Sequence, residues 1–269
     1  MTVPYVTRLV ILSRESPASC YLAHQINLFN GCELQAIICE NTTVGRLGLL
    51  RKKLVMAFKR KGAVAAIFLL AQTPYLFWRE RQSVDRQSRA WRSFTENKYP
   101  ATIPHHIVES LNNDATSALL KHYQPDLLFV FGTRILKPHV FNSSRRGAIN
   151  LHTGITPEYR GAKSEFWALY REDLEMVGFT IHYIDEGIDT GSVLLQRKIN
   201  VRKDDDDIDL RIRNIEAAVP AIEQVMTKIN SFQGSVIPTE NRHSEVFSTP
   251  SILQYMSPKW FRRRKKRVV

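Results

Sequence analysis

Cysteine is scarce in this chain, and this scarcity limits the classes of protein to which the chain can belong. Three cysteines occur among 269 residues, at positions 20, 32 and 39, and none of them forms a Cys-x-x-Cys pair. An odd number of widely spaced cysteines is typical of reduced thiols in a cytosolic protein, not of a disulfide framework or a zinc site. Cys39 lies in an apolar run, so we expect it to be a buried small hydrophobe.

The sequence also lacks a long uninterrupted apolar run. The most apolar stretch, residues 63–78, has sixteen residues and is interrupted by Gln72, Thr73 and Pro74, whereas a membrane-spanning helix needs about 20 residues. The first residues show no charged segment followed by a long apolar one, so we expect no signal peptide. Together with the cysteine usage, these features predict a cytoplasmic protein.

Acidic residues are nearly missing from two stretches of the chain. Residues 46–95 hold twelve basic and two acidic residues, and residues 259–269 hold seven basic and no acidic residues, although the whole chain carries a net charge of only +12. The remainder is therefore mildly acidic. We expect an anionic partner to meet these two basic segments rather than the remainder.

Residues 46–98 are predicted to form a basic helical insertion. Leu47, Leu50, Leu54 and Phe58 recur at helical spacing among basic residues, which indicates an amphipathic helix. We favour a helical hairpin packed on the domain, and an interfacial membrane anchor is the second interpretation. A nucleic-acid surface is disfavoured, because the basic residues lack regularly interleaved aromatics for stacking.

Strand and helix patterns alternate along the rest of residues 1–231. This alternation predicts one α/β domain with a Rossmann-like, doubly wound and mostly parallel sheet. Residues 232–269 predict a poorly packed, basic C-terminal extension. The acidic run 204–207 is expected to be a solvated helix N-terminus rather than a metal site. The predicted strands are residues 5–13, 33–40, 103–108, 126–131, 148–152, 179–185 and 192–201, and the predicted helices are residues 17–29, 113–122, one from 164, and 208–229.

Polar side chains stand at the ends of two of these strands. Residues 148–152 alternate in polarity, so Asn150 and His152 should share one face of the strand. The strand at residues 179–185 leads into a turn-rich segment that contains Asp189. An amide, an imidazole and a carboxylate at strand ends and in loops are parts from which acyl-transfer chemistry can be assembled.

These residues, in this order, resemble a known family. The motifs are Asn150-x-His152, Pro157-x-Tyr159-Arg160-Gly161, Gly178-x-Thr180-x-His182 and Asp189-Thr190-Gly191, preceded by the loop from Phe131 to Leu136. In combination they resemble the N10-formyltetrahydrofolate-dependent formyltransferases, which include glycinamide ribonucleotide transformylase and the catalytic domain of methionyl-tRNA formyltransferase. The resemblance extends over residues 103–205 and is looser over the first part of the chain.

The resemblance implies a formyltransferase fold and the transfer of a formyl group from N10-formyltetrahydrofolate to a primary amine, without a metal. Such a transfer needs hydrogen-bond donors for a tetrahedral oxyanion and a group that takes a proton from the amine. Asn150 and His152 would donate to that oxygen, and Asp189 would orient the histidine or relay the proton. The implied folate contacts are Phe131, Gly132, Thr133, Arg134, Ile135, Leu136 and Asp185, with Arg134 serving through its backbone, and the implied substrate contacts are Tyr159, Arg160, Gly161 and His182.

The acceptor that we favour is a nucleotide-linked amino sugar of cell-envelope glycan synthesis. The family's ribonucleotide-phosphate loop is rich in glycine, whereas residues 13–17 here contain none. The extension after residue 231 is also short for a tRNA-binding module. Glycinamide ribonucleotide or another small amine is the second possibility. A non-catalytic folate- or membrane-binding relative is the third, against which the three implied catalytic residues argue. The basic segments suit peripheral contact with an anionic inner membrane surface, and the oligomeric state is left open.

Overall fold

A seven-stranded sheet with helices on both faces forms the centre of the protein. The computed structural model describes residues 6–41, 46–96, 98–231 and 236–257. The strands are β1 Thr7–Arg14, β2 Cys32–Glu40, β3 His105–Val108, β4 Leu127–Phe131, β5 Ala148–His152, β6 Arg160–Gly161, β7 Gly178–Tyr183, β8 Val193–Lys198 and β9 Val246–Phe247. The helices are α1 Pro17–Ile26, α2 Arg46–Ala90, α3 Arg92–Thr95, α4 Asp114–Tyr123, α5 Pro138–Phe141, α6 Ser164–Tyr170, α7 Asp207–Asn230 and α8 Ile252–Tyr255, with a 3-10 turn at Leu174–Met176.

The sheet has the strand order β3-β2-β1-β4-β5-β7-β8. The pairs from β3 through β5 are parallel, whereas β7 runs antiparallel to both β5 and β8. The predicted doubly wound, mostly parallel sheet is therefore confirmed. The predicted first strand began at Tyr5, which lies outside the described residues.

The central strands contain continuous apolar runs because both of their faces are buried. Leu9, Val10, Ile11 and Leu12 of β1 are at most 1% exposed, and every residue of β4 is buried. Alternate residues pack into two core layers, one on each side of the sheet. Cys39 lies in one of these layers with no exposed surface, as expected, and burial raises the pKa of its thiol to about 12.

Three of the four residues in the acidic run 204–207 are buried, and for these three the expectation of a solvated run is wrong. Asp205, Asp206 and Asp207 are each about 6% exposed or less, because arginines from elsewhere in the chain cover them. Asp207 accepts from Arg79 at 2.6 Å and Asp206 accepts from Arg86 at 2.7 Å. Asp206 also caps the helix through the N–H groups of Ile208 and Asp209.

The predicted insertion forms the crossover between β2 and β3. α2 is interrupted at Gly62, whose φ of 80° is one that other residues avoid. Pro74 lies inside the helix. The second half of α2 packs on the domain through Arg79, Arg86 and Gln72, which accepts from the Ile252 N–H of α8 at 3.2 Å. No helix among the described residues is both long and apolar enough to cross a membrane.

The segment after α7 is better packed than expected over residues 236–257. Phe247 of β9 is 6% exposed and Tyr255 of α8 is 4% exposed, and both join an aromatic cluster with Tyr159 and Phe166. The widely spaced aromatics did not signal this packing in the sequence, since their partners are 80 or more residues away. The expectation of a poorly packed extension is therefore wrong here, and the basic residues 259–269 lie outside the described residues.

Candidate active site

Antiparallel pairing of β5 with β7 brings the polar residues of two motifs face to face. Asn150 lies opposite His182, and His152 lies opposite Thr180. The hydroxyl of Thr180, which has no exposed surface, donates to the Gly154 carbonyl at 2.7 Å and accepts from the Thr156 N–H at 3.1 Å. Thr180 thus holds the loop after β5, while His182 lies beside Asn150.

His182 orients the amide of Asn150. Its Nδ1 lies 2.7 Å from the Tyr183 carbonyl, which can only accept, so Nδ1 carries a hydrogen. In the neutral ring Nε2 is then an acceptor, and the Asn150 amide nitrogen donates to it at 3.2 Å. The second amide hydrogen of Asn150 remains available to a ligand, because the side chain is only half-buried.

Asp189 bridges the two histidines. One carboxylate oxygen lies 3.4 Å from Nδ1 of His152 and the other lies 3.5 Å from Nε2 of His182. The Gly161 N–H donates to the first oxygen at 2.8 Å. Burial alone would raise the pKa of Asp189, but the charge of His152, the proximity of His182 and the Gly161 N–H together hold it well below 3.8. Asp189 is therefore a carboxylate at neutral pH.

His152 is enclosed by oxygen acceptors at both ring nitrogens. Its Nε2 lies 2.7 Å from the Tyr159 carbonyl, and its Nδ1 faces Asp189. The Ser164 hydroxyl lies 3.1 Å from the same Nε2 and can donate to the Tyr159 carbonyl at 3.0 Å. A doubly protonated imidazolium satisfies these contacts fully, which suits a group that stabilises negative charge.

Two glycines allow this close approach. A Cβ on Gly154 would come within 2.7 Å of Nε2 of His152 and 2.5 Å of the Ser164 Cβ. Gly161 has a φ of +90°, and a Cβ there would come within 2.3 Å of the Phe247 carbonyl across the β6–β9 pair. Gly161 therefore joins the C-terminal segment to the carboxylate of Asp189.

Replacing Gly161 with alanine is expected to damage both stability and turnover. We expect Gly161→Ala to lower the free energy of unfolding by about 3 kcal/mol, because backbone strain and a backbone clash add. Gly147→Ala is the matched control, since Gly147 has a similar φ of +81° but its Cβ would come no closer than 3.6 Å to the Tyr183 ring. The free energy of unfolding of this control should fall by only about 1 kcal/mol. Equal losses in chemical denaturation would contradict the role given to the Phe247 contact.

The structure places Tyr159 and Arg160 differently from the predicted substrate contacts. The Tyr159 ring is 3% exposed, stacks on Phe247 and donates its hydroxyl to Asp173 at 2.8 Å. Only its carbonyl faces the site, so we no longer expect its side chain to touch the substrate. Arg160 donates to the Ile188 carbonyl at 3.1 Å and so ties its loop to the segment that carries Asp189.

The predicted folate loop lies at the carboxyl end of β4, next to the end of β5. Val130 pairs with Asn150, so Gly132, Thr133 and the following residues leave the sheet beside Asn150. The Arg134 side chain donates to the buried Glu40 at 2.8 Å. The loop would therefore contact a ligand through its backbone groups and not through this side chain. Phe131 and Leu136 are buried at the two ends, and Ile135 between them is 65% exposed.

Asp185 was also expected to contact folate. Its carboxylate accepts from the Gly187 N–H at 3.0 Å and from the Thr190 hydroxyl at 2.6 Å. These bonds close the turn that leads to Asp189. In this structure Asp185 shapes the segment that carries Asp189.

Sequence reasoning missed two polar residues beside the site. Ser164 approaches His152 from the first turn of α6, and Arg211 reaches the loop after β5 from α7. The Arg211 guanidinium lies 3.4 Å from the Thr153 hydroxyl and 3.7 Å from the buried Glu165. Ser164 could have been found from its place three residues after Gly161, but Arg211 comes from a distant helix and left no local signal.

Comparison with known proteins identifies the family to which this geometry belongs. Residues 47–226, well over half of the chain, match the formyl transferase family. The chain therefore belongs to the formyl transferase family, and the resemblance found in its motifs is confirmed. The match includes both β5 and β7 and the loops that bring the four polar residues together.

Curated relatives match part of this chain. A methionyl-tRNA formyltransferase of Chlorobium chlorochromatii is 27% identical over 139 residues, which cover 52% of this chain and 44% of that protein. A GDP-perosamine N-formyltransferase of Brucella melitensis biotype 1 is 34% identical over 110 residues, 40% of this chain and 42% of that protein. The matched part of the chain thus spans less than half the length of these relatives.

A solved structure shares the fold over most of the chain. The sugar N-formyltransferase from a Shewanella species superimposes with a TM-score of 0.56, at 12% identity, over 90% of this chain and 76% of that protein. At this level of identity the likeness shows the fold, and the fold is the expected mostly parallel formyltransferase sheet.

Proposed function

We propose that this protein transfers a formyl group from N10-formyltetrahydrofolate to a primary amine. The observation that carries the proposal is the approach of Asp189 to both histidines beside Asn150, at the carboxyl edge of the sheet where open α/β sheets bind ligands. We propose that the protein works in the cytoplasm and contacts the inner membrane surface through its basic segments.

The residues near Asn150 fit a folate. A pteridine ring needs backbone hydrogen-bonding groups and an apolar neighbour, and the loop from Gly132 to Leu136 offers both. The Arg134 side chain is held by Glu40, and Ile135 is exposed beside the strand end. When bound there, N10-formyltetrahydrofolate would supply the formyl group.

The chain's own residues would supply charge stabilisation and proton movement. The free amide hydrogen of Asn150 would donate to a carbonyl oxygen on which negative charge builds up. His152 as an imidazolium would add its charge, and the carboxylate of Asp189 would orient it. Asp189 could also accept the proton of the attacking amine through water.

Three cations beside the site favour an acceptor that carries an anionic group. Lys163, 3.3 Å away, is the main reason that the pKa of Glu80 is lowered, and the charges of Arg211 and Arg14 add to it. The buried Nε of Arg14 has no hydrogen-bond partner among the described residues. Because Arg211 also reaches Thr153, these cations adjoin the catalytic loop. The diphosphate of a nucleotide-linked amino sugar would complement them.

Removing one of these cations should weaken acceptor binding more than chemistry. We expect Arg14→Ala to raise the KM for the acceptor about tenfold with little change in kcat, because one charge-assisted hydrogen bond is lost. Arg14→Lys should recover part of the loss, and the KM for the folate should not change. An unchanged acceptor KM in Arg14→Ala would show that the anionic group binds elsewhere.

A panel of acceptors tests the proposed function. The purified protein would be incubated with N10-formyltetrahydrofolate and separately with nucleotide-linked amino sugars, glycinamide ribonucleotide and methionyl-tRNA, and mass spectrometry would detect the gain of one formyl group. We expect an amino sugar to gain one formyl group. Gain on glycinamide ribonucleotide alone would favour the second candidate, and no gain on any amine would favour a non-catalytic relative.

A further inference from the structure

The second half of α2 turns its polar side inward. Gln72, Ser83 and Gln87 are 8%, 4% and 5% exposed, although glutamine and serine are usually found at the surface. On the opposite side, Ile67 is 65% exposed and Leu70 is 50% exposed. Tyr75 and Leu76 pack against the buried aromatic cluster, but the helix also presents a second apolar side to the surface, where a helix of a globular domain usually has polar residues.

Five of the exposed apolar residues form one stripe. They recur three or four positions apart, the spacing that places residues on one face of a helix. The stripe consists of Ile67, Leu70, Pro74, Phe77 and Trp78, all of them exposed. At 1.5 Å per residue it is about 16 Å long. We call this surface the apolar stripe.

Ion pairs and hydrogen bonds determine which side of α2 faces outward. Arg79 and Arg86 bind the buried carboxylates at the N-terminus of α7, and Gln72 accepts from the Ile252 N–H of α8 at 3.2 Å. Turning the helix to bury the apolar stripe would break these contacts and leave buried aspartates unpaired, which is strongly unfavourable. The outward position of the stripe is therefore built into the fold.

The charges around the apolar stripe indicate what covers it. No acidic residue occurs between positions 46 and 79, and residues 46–61 include seven basic residues. Lys59 and Arg81, before and after the stripe, are exposed. Exposed apolar and basic side chains on one helix fit the surface of an anionic bilayer, where each basic residue near the surface adds attraction. A second copy of this chain would set the same positive charges against one another.

We propose that α2 lies flat on an anionic membrane surface, with the apolar stripe among the lipid headgroups and its polar side on the domain. Trp78 and Phe77 then occupy the depth at which aromatic side chains prefer to lie. Because Glu80 follows the stripe directly and contacts Lys163, the membrane surface adjoins the cations beside the catalytic loop. This proposal concerns location and does not depend on the identity of the acceptor.

Vesicle binding tests the proposal. Full-length protein would be floated with vesicles of phosphatidylcholine alone and of phosphatidylcholine with phosphatidylglycerol. We expect the unchanged protein to bind the anionic vesicles and to be released by high salt. The variant Ile67→Ser/Leu70→Ser should bind these vesicles at least about tenfold more weakly than the unchanged protein. Leu28→Ser/Ile107→Ser is the matched control, since those side chains are 73% and 54% exposed outside α2. It should bind like the unchanged protein.

Tryptophan fluorescence locates the contact. Trp91 and Trp167 are 2% and 9% exposed, and Trp260 lies outside the described residues, so Trp260→Phe leaves Trp78 as the tryptophan that can respond to lipid. We expect a blue shift and quenching by brominated anionic lipid. Formyl transfer to a water-soluble acceptor should be equal in Ile67→Ser/Leu70→Ser and the unchanged protein.

Three results would overturn the proposal. One is the absence of binding to either kind of vesicle. The second is equal binding by Ile67→Ser/Leu70→Ser and the unchanged protein. The third is a concentration-dependent dimer in sedimentation that this double variant makes monomeric, because the stripe would then join two copies of the chain.

Discussion

His152→Ala is expected to lower kcat about 10²-fold or more while the protein stays folded. The charge of an imidazolium at His152 would stabilise the negative oxygen of the reaction, and loss of such a group typically costs this much. Asn150→Ala should have an effect of the same size, because its free amide hydrogen is the donor to that oxygen. The measurement is kcat at saturating folate and acceptor, with thermal unfolding as the check of folding.

His139→Ala is the matched control for this prediction. His139 is exposed in α5, away from β5, so its replacement should leave kcat unchanged. If His152→Ala kept near-wild-type turnover on the true acceptor, the catalytic assignment of His152 would be wrong.

Asp189→Asn is expected to reduce turnover by a similar factor of about 10² through its effect on His152. The amide keeps the shape of the carboxylate but removes the charge that faces Nδ1 of His152 at 3.4 Å. We therefore expect the pH profile of kcat to change as well as its maximum. A mere structural role for Asp189 would lower the amount of folded enzyme without changing the pH profile.

The stability of the same variant gives a second, independent readout. The pKa of Asp189 is lowered on folding, so its carboxylate contributes stability that is present above the ordinary value of 3.8 and is lost as the pH falls below it. The difference in unfolding free energy between the unchanged protein and Asp189→Asn should therefore shrink on acidification. A constant difference down to acid pH would contradict the lowered pKa.

The fold could be predicted largely from local patterns. β1 and β4 are continuous apolar runs because both faces are buried, and Asn150 and His152 share a face because strands repeat every two residues. Residues whose partners are remote could not be placed in this way. Nothing near Asp206 indicates that Arg86 covers it, so its burial was missed.

The contacts within the site also differ in this way: some follow from local patterns, and others depend on remote residues. The alternation of β5 predicts that Asn150 is accessible, but its bond to His182 depends on the register of β5 with β7. Ser164 and Gly154 matter because a turn brings them against His152. A one-residue change of register would send His182 to the other face, so no motif spacing alone determines this contact.

The orientation of α2 could not be predicted from the sequence either. Both an inward and an outward apolar side satisfy the helical spacing of its apolar residues. Three buried polar residues and two ion pairs to the α7 N-terminus decide between them. The aspartates of these ion pairs lie more than a hundred positions after their arginine partners in the chain.

The most direct test of the central claim follows a labelled formyl group. The enzyme would be supplied with N10-formyltetrahydrofolate labelled with carbon-13 in the formyl group and with a nucleotide-linked amino sugar. We predict one labelled formyl on the sugar nitrogen for each tetrahydrofolate released, and a rate at least about 10²-fold lower with Asn150→Ala. Release of tetrahydrofolate with the label only in free formate, or an equal rate in Asn150→Ala, would contradict the account.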